Sequence, residues 1–254
     1  KIAFIAERLF KQGDIVLIVQ VKNIYLMLKK IKEIEGLKWL PWIGNHFNAM
    51  KENRILIIGE SHYHDNSEES IEKHESPLYT QKVIKELAIE RKYWKTKIFP
   101  NFHKAIMGND SFNSTDFWNL LSFYNFIQKP MNTNNGRPTK NDFHQGWLSF
   151  FKVIEILKPN TCIFIGTEST SSFQKAILES NYKIDIFERD EKISGVYPKR
   201  AVLVDNQDNK IELYFIKHTS KYFSWEKWNS YLQNQMTKQM NWLKNEVSTK
   251  GNNV

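Results

Sequence analysis

Residues 59–65 read GESHYHD, and Glu60, Ser61, His62, Tyr63, His64 and Asp65 gather two carboxylates, two imidazoles, a hydroxyl and a phenol in one short stretch. Side chains of these types can pass protons, attack an electrophile or hold a metal ion. The residues just before them, Ile55, Leu56, Ile57 and Ile58, form an apolar run typical of a strand buried on both faces. Gly59 lets the backbone turn tightly or come close to a ligand. Parallel α/β sheets bind ligands where their strands end. The stretch has the marks of an active-site floor.

Other elements must position it. FYNFIQ (123–128) reads as a strand after the helical FWNLL, and KPMNTNNGRP (129–138) as a polar loop. FHQGWLSFFKVIEIL (143–157) reads as a helix with Trp147, Phe150, Phe151, Ile154 and Leu157 on one stripe. CIFIG (162–166) is a second strand ending in glycine, and IELYFIKH (211–218) a further strand ending on His218. Helices are expected near 77–92 and over 224–244, and loops over 36–45 and 191–200. Ile24, Leu28, Ile31 and Ile34 share one helical face. The chain divides into a helical N-terminal extension (1–45), an α/β domain (46–245) and a flexible tail (246–254). Alternating strands and helices argue a parallel sheet covered on both faces. Right-handed crossovers bring every strand's carboxyl end to one side, so GESHYHD, Asn125, Gly166 and His218 converge on one crevice.

Bulk properties narrow the partner. The 254 residues are 41% hydrophobic, enough for a core, and carry a formal charge of +8. That charge favours an anionic partner, nucleic acid first. Cys162 is the only cysteine, so an internal disulfide and any multi-cysteine zinc or iron–sulfur site are excluded. A reduced, cytoplasmic setting is expected. No segment reaches the roughly 18 apolar residues that span a bilayer. The run IVLIVQV (15–21) is too short and lacks a small-residue cleavage site, so no membrane role is expected. Because the sequence opens on lysine, its natural start is expected further upstream.

Three motif resemblances bear on the chemistry. His62, His64 and Asp65 resemble the metallo-β-lactamase signature, but that pattern places one residue between the second histidine and the aspartate, and here they are adjacent. Distant ligands would also be needed; His74, His103 and His144 are available and nothing marks them, so no metal is expected. Gly-Glu-Ser resembles the Gly-Asp-Ser opening of SGNH esterases, which carry an aspartate three residues before the catalytic histidine. Before His218 that position is Phe215. The third resemblance covers more of the chain. GESHYH (59–64) is similar to the first motif of the uracil-DNA glycosylase superfamily, Gly-Gln-Asp-Pro-Tyr-His, with Gly59, Tyr63 and His64 in place. HTSKY (218–222) resembles its His-Pro-Ser-Pro-Leu, matching His218 and Ser220. SFYNFIQ holds Asn125 in a strand, as the superfamily holds its base-reading asparagine, and LKPNTCIFIG resembles the strand and glycine that follow. Ser61 stands where the water-activating aspartate would be, and His62 and Thr219 replace prolines.

The resemblance implies a three-layer α/β/α fold with a central, mainly parallel four-stranded sheet, and a DNA partner. It implies recognition and hydrolysis of the N-glycosidic bond of an aberrant base, such as uracil, or a modified base. A monomer without cofactor or iron–sulfur cluster is expected. Breaking that bond needs a carboxylate or oriented water facing the sugar and a donor facing the leaving base. Glu60 is the candidate for the first role, with Asp65 in reserve, and His218 for the second. Gly59, Ser61, Tyr63, His64 and Asn125 would line the base pocket. The Asn125 carboxamide would match a pyrimidine edge, and Tyr63 would wall off the base's C5 face. Ser220 would contact a phosphate, Tyr222 would fill the gap left by a flipped base, and Lys217 and Lys221 would add charge. Lys199 and Arg200 would extend the basic face. Phe102 or Phe112 would stack on the base, whereas Trp118, Trp147, Trp225 and Trp228 sit at core spacing. Two alternatives stay open: a nucleic-acid-binding relative without catalysis, and a hydrolase using Ser61 or a metal.

Overall fold

The apolar runs become strands in the computed structural model, which describes residues 15–132 and 136–250. In chain order these are β1 (Trp42–Ile43), β2 (Ile55–Gly59), β3 (Tyr63–His64), β4 (Ser122–Asn125), β5 (Met131–Asn132), β6 (Thr161–Ile165), β7 (Lys183–Arg189), β8 (Lys199–Val204) and β9 (Lys210–Ile216). Seven of them form one sheet in the order β1-β4-β2-β6-β9-β8-β7, and β3 pairs with β5 apart from it. The inner four, β4, β2, β6 and β9, are parallel neighbours. Every residue of β2 and β6 is buried, so both strands are apolar without alternation.

Helices cover both faces. On one lie α1 (Ile15–Lys32) and, after it in the chain, the long helix Lys140–Leu157, packed against each other. There Leu56, Ile58, Phe164 and Phe215 meet Trp147, Phe150 and Phe151. On the other face α2 (Glu68–Glu75) and α3 (Tyr79–Val83) are followed by α4 (Ile98–Met107) and α5 (Ser114–Leu120). The Lys140–Leu157 helix is α6; α7 (Trp225–Gln235) and α8 (Thr237–Lys250) return to the second face. Ile57, Ile163 and Tyr214 pack there on Phe102, Trp118 and Trp228. The start of α6 is fixed by a capping box in which the Thr139 hydroxyl and Asp142 satisfy each other's backbone N–H.

Several expectations are corrected. The sheet has seven mixed strands rather than four. β7 and β8 escaped notice because β7, KIDIFER, exposes most of its residues and carries four charges, so it lacks a buried strand's apolar run. The expected loop 191–200 narrows to the connection of their hairpin. Trp42–Ile43, expected in a loop, pairs antiparallel with β4. The strand expected to reach 128 ends at Asn125. The C-terminal helix breaks at Met236 and runs on to Lys250, and Val247 within the expected tail is buried. Residues 1–14 of the extension and 251–254 of the tail lie outside the described residues. Among the described residues no helix is long and apolar enough to cross a membrane.

Candidate active site at the switch point of the sheet

From β2 the chain moves to β4 on one side and then returns to β6 on the other, so the winding reverses between β2 and β6. In open α/β sheets the crevice outside the strand ends at such a reversal is the usual ligand site. Glu60 follows β2 there, and Gly166 follows β6. His218 lies two residues beyond β9, about 10 Å from β2 at the ordinary strand spacing. Gly166 takes a backbone conformation that side-chain-bearing residues rarely adopt. Its φ is +139°, and a Cβ there would lie 3.6 Å from Glu60 Oε2.

Glu60 is held in place. The Tyr63 hydroxyl donates to Glu60 Oε1 at 3.0 Å, and the Arg137 guanidinium lies 3.9 Å from the same oxygen. Burial, then the Glu60 charge, push the Tyr63 phenol up to about 12, so it stays a donor at neutral pH. Burial lowers the His218 pKa, while Glu60 opposes that shift and Arg137 adds to it. The imidazole is therefore neutral near pH 7 and can donate from one ring nitrogen. The crevice beside Glu60 is lined by Phe126, Phe143, Phe164, Gly166 and Ser169, and holds roughly one water. Ser169 Oγ is buried there without a hydrogen-bond partner. Arg137 and Ser169 were not singled out from sequence. Arg137 lies in a polar loop with no periodicity; for Ser169 the signal was its place three residues after a strand-ending glycine.

Gly59 lines this crevice, but Ser61, His64 and Asn125 lie apart from it. Asn125, paired in register with Gly59, is buried against α3. Its Nδ2 donates to His62 Nε2 at 2.6 Å and lies 3.4 Å from Thr80 Oγ1. A Cβ on Gly59 would meet Asn125 Oδ1 at 2.6 Å, so that glycine is what lets the amide sit there. Asn125 thus reads His62 in this structure, and three strand spacings, roughly 14 Å, separate its strand from β9. Ser61 Oγ donates to the Lys129 carbonyl at 3.0 Å and the His62 carbonyl at 3.2 Å. His64 Nδ1 accepts from the Asn66 backbone. Asp65 is exposed and accepts from the N–H and hydroxyl of Ser67, the cap of α2; it is a turn residue distant in role from Glu60. Phe102 is fully buried core, and Phe112 packs on Arg91 and His103, so neither offers a free stacking face. Trp118, Trp147 and Trp228 are fully buried and Trp225 packs against the same core. Among the described residues no three His, Cys, Asp or Glu side chains gather in a way that could hold a metal ion.

His62 sits with Trp39, His74 and Tyr79 in a packed aromatic group. Burial, with the His74 charge second, lowers its pKa to about 3. Since the folded state refuses a proton that the unfolded chain takes up near 6.5, its stabilisation is full above pH 6.5 and is lost as pH falls towards 3. The total is on the order of 5 kcal/mol. Stability measured by denaturant should fall over that window, and His62→Asn should flatten the fall; an unchanged slope in the variant would assign the loss to other groups.

The turn after His218 is rigid. Asn101 Nδ2 donates to the carbonyls of Thr219 and Ser220 at 2.8 and 2.9 Å. Lys217 Nζ donates to the Tyr222 carbonyl at 2.8 Å. Tyr222 adopts φ +59° and leaves its ring 90% exposed, with Ser220 and Lys221 beside it over an open depression shared with Lys97. Arg200 is paired with Glu188, and Lys199 bonds Thr170, so neither is a free surface charge. Neither a protein-family model nor a curated protein matches this chain.

Proposed function

We propose that the protein is a divergent uracil-DNA glycosylase-like enzyme that binds DNA and hydrolyses the N-glycosidic bond of an aberrant or modified base. The observation that carries the reading is that Glu60 follows β2 at the switch point and His218 follows β9 two strands away, near enough for the Glu60 charge to act on its ring. Glu60 lies where a carboxylate can orient water and offset positive charge developing on the sugar. His218 donates a hydrogen bond to the base as it leaves with the electron pair of the broken bond. Water adds to the sugar carbon and gives up its proton to Glu60. The narrow crevice has to open for a flipped base, whose aromatic walls would be Phe126, Phe143 and Phe164. Tyr222 is the exposed wedge, and Ser220 and Lys221 meet phosphates beside it.

The test is single-turnover cleavage at abasic sites in duplexes carrying uracil or modified cytosines, with and without chelator. Excision unaffected by chelator is expected. Intact bases throughout, with uracil excision created by Ser61→Asp, would instead make the protein a binding relative. That second reading is favoured by one observation: the Asn125 amide is engaged by His62 and Thr80 rather than open to a base.

DNA binding should weaken steeply as salt rises, because the basic face releases counterions from phosphates. Lys221→Glu should weaken binding to all sequences alike. Binding measured by anisotropy that does not depend on salt, or no binding at low salt, would remove the nucleic-acid role.

A further inference from the structure

The β7–β8 hairpin ends in a tight turn through Ser194 (φ +46°) and Gly195 (φ +88°), closed by mutual backbone bonds between Ile193 and Val196. Ile193 and Val196 pack against the core, and Tyr231 donates to Asp190 Oδ2 at 2.6 Å, so the turn is anchored from below. Above it, the Arg189 guanidinium lies 4.2 Å over the Tyr197 ring and Lys192 Nζ 5.5 Å from the same ring. Both cations are exposed, and neither has an ion-pairing carboxylate among the described residues. Arg189 also acts on Lys199 as a like charge. The acidic groups nearby are engaged or turned away: Glu188 pairs with Arg200, Asp190 with Tyr231, and Glu168 faces Lys199; Glu191 is exposed.

Lys217 joins this hairpin to the site. Its Nζ donates to the Tyr222 carbonyl at 2.8 Å and lies 3.5 Å from the Ser194 carbonyl. The hairpin tip and the Tyr222 turn are thus one basic ridge beside the crevice. Like charges held together without carboxylates are stabilised by an anion, and stacking on Tyr197 orients the guanidinium while its N–H edges stay free. Charges spread over two loops suit a repeating anion rather than a single phosphate. We infer that Arg189, Lys192 and Tyr197 form a second docking arm for the phosphodiester backbone, flanking the nucleotide whose base enters the crevice. This rests on the proposed DNA substrate.

The experiment compares wild type with Arg189→Gln/Lys192→Gln, both exposed positions whose change should leave the melting temperature unaltered. Anisotropy is read on lesion-bearing duplexes of about one and about two helical turns over a salt series. On the longer duplex the slope of log K against log salt should drop by about two, near 0.9 for each phosphate no longer neutralised. The single-turnover excision rate at saturating DNA should not change. A control pair on the distant helix α1, Lys29→Gln/Lys30→Gln, should keep the wild-type slope. An unchanged slope in the hairpin variant, or an equal drop in the control, overturns the arm while leaving the glycosylase reading intact. Wild-type protein that fails to bind DNA at low salt overturns that reading, and the arm with it.

Discussion

Under the proposed glycosylase activity, Glu60→Gln and His218→Ala should each slow base excision by about 10²-fold or more, a loss of about 2.7 kcal/mol of transition-state stabilisation, the scale of one general acid–base or oxyanion-type contact. DNA affinity should change little, because in that reading both groups act on charge that appears only in the transition state. Tyr63→Phe has a smaller effect: it removes the 3.0 Å bond that fixes the Glu60 carboxylate but leaves the carboxylate itself. The pH profile carries a separate sign. Burial lowers the His218 pKa below its ordinary 6.5. If the neutral ring is the working form, the rate holds from neutral pH down past 6.5 and falls only as pH drops through the lowered value. His218→Ala removes that acid limb. Single-turnover rates of wild type and variants on a uracil duplex, taken from pH 5 to 8, check both claims. Equal rates in Glu60→Gln and wild type would remove Glu60 from the chemistry.

Trp147→Ala costs about 3–5 kcal/mol of folding stability, the range for a fully buried aromatic cut to a methyl group. Its indole meets Phe126, Phe150, Phe151, Phe164, Phe173 and Phe215, so no single neighbour can move in to fill the space. Trp147→Phe separates packing from hydrogen bonding. It keeps most of the burial but leaves the Ser169 carbonyl without the indole N–H that donates to it at 2.8 Å, a loss of about 1–3 kcal/mol. Because Ser169 also lines the crevice beside Glu60, the phenylalanine variant should lose excision rate as well as stability. Urea unfolding read by circular dichroism measures both substitutions. A Trp147→Ala cost under about 1 kcal/mol would show that this layer collapses freely.

Buried strands were legible because both faces need apolar residues: Ile55–Ile58 and Cys162–Ile165 are continuous apolar runs, and Ile211–Ile216 is interrupted only by Glu212. Their parallel order followed from the helices between them. The edge of the sheet was not legible. β7 exposes most of its residues and carries four charges, so it lacks the apolar run that marked the buried strands. Among the candidate site residues, Glu60 and Gly166 were singled out because each directly follows a buried strand, and His218 because it lies two residues past one. Asn125 was placed on the right strand, but the partner of its amide depends on α3, whose Thr80 and the neighbouring His62 carry no periodic signal. Ionic partners were the least visible. Arg137 reaches Glu60 from a loop 77 positions downstream, a contact that only tertiary structure creates.

The margins of the sheet bear on how the protein behaves in a crowded solution. An unpaired strand edge offers its backbone N–H and C=O groups to any passing chain and invites aggregation. Here the β1 margin is only two residues long, too short to template much pairing. The β7 margin is longer, but it is interrupted by a register shift between Ile184 and Ile186. It also carries Lys183, Asp185, Glu188 and Arg189 along its length. An incoming strand would have to match both the shift and the mixed charges. The added antiparallel strands therefore end the sheet in a form that resists growth, and substitutions that straighten or neutralise β7 would turn a folded chain towards self-association before they unfolded it.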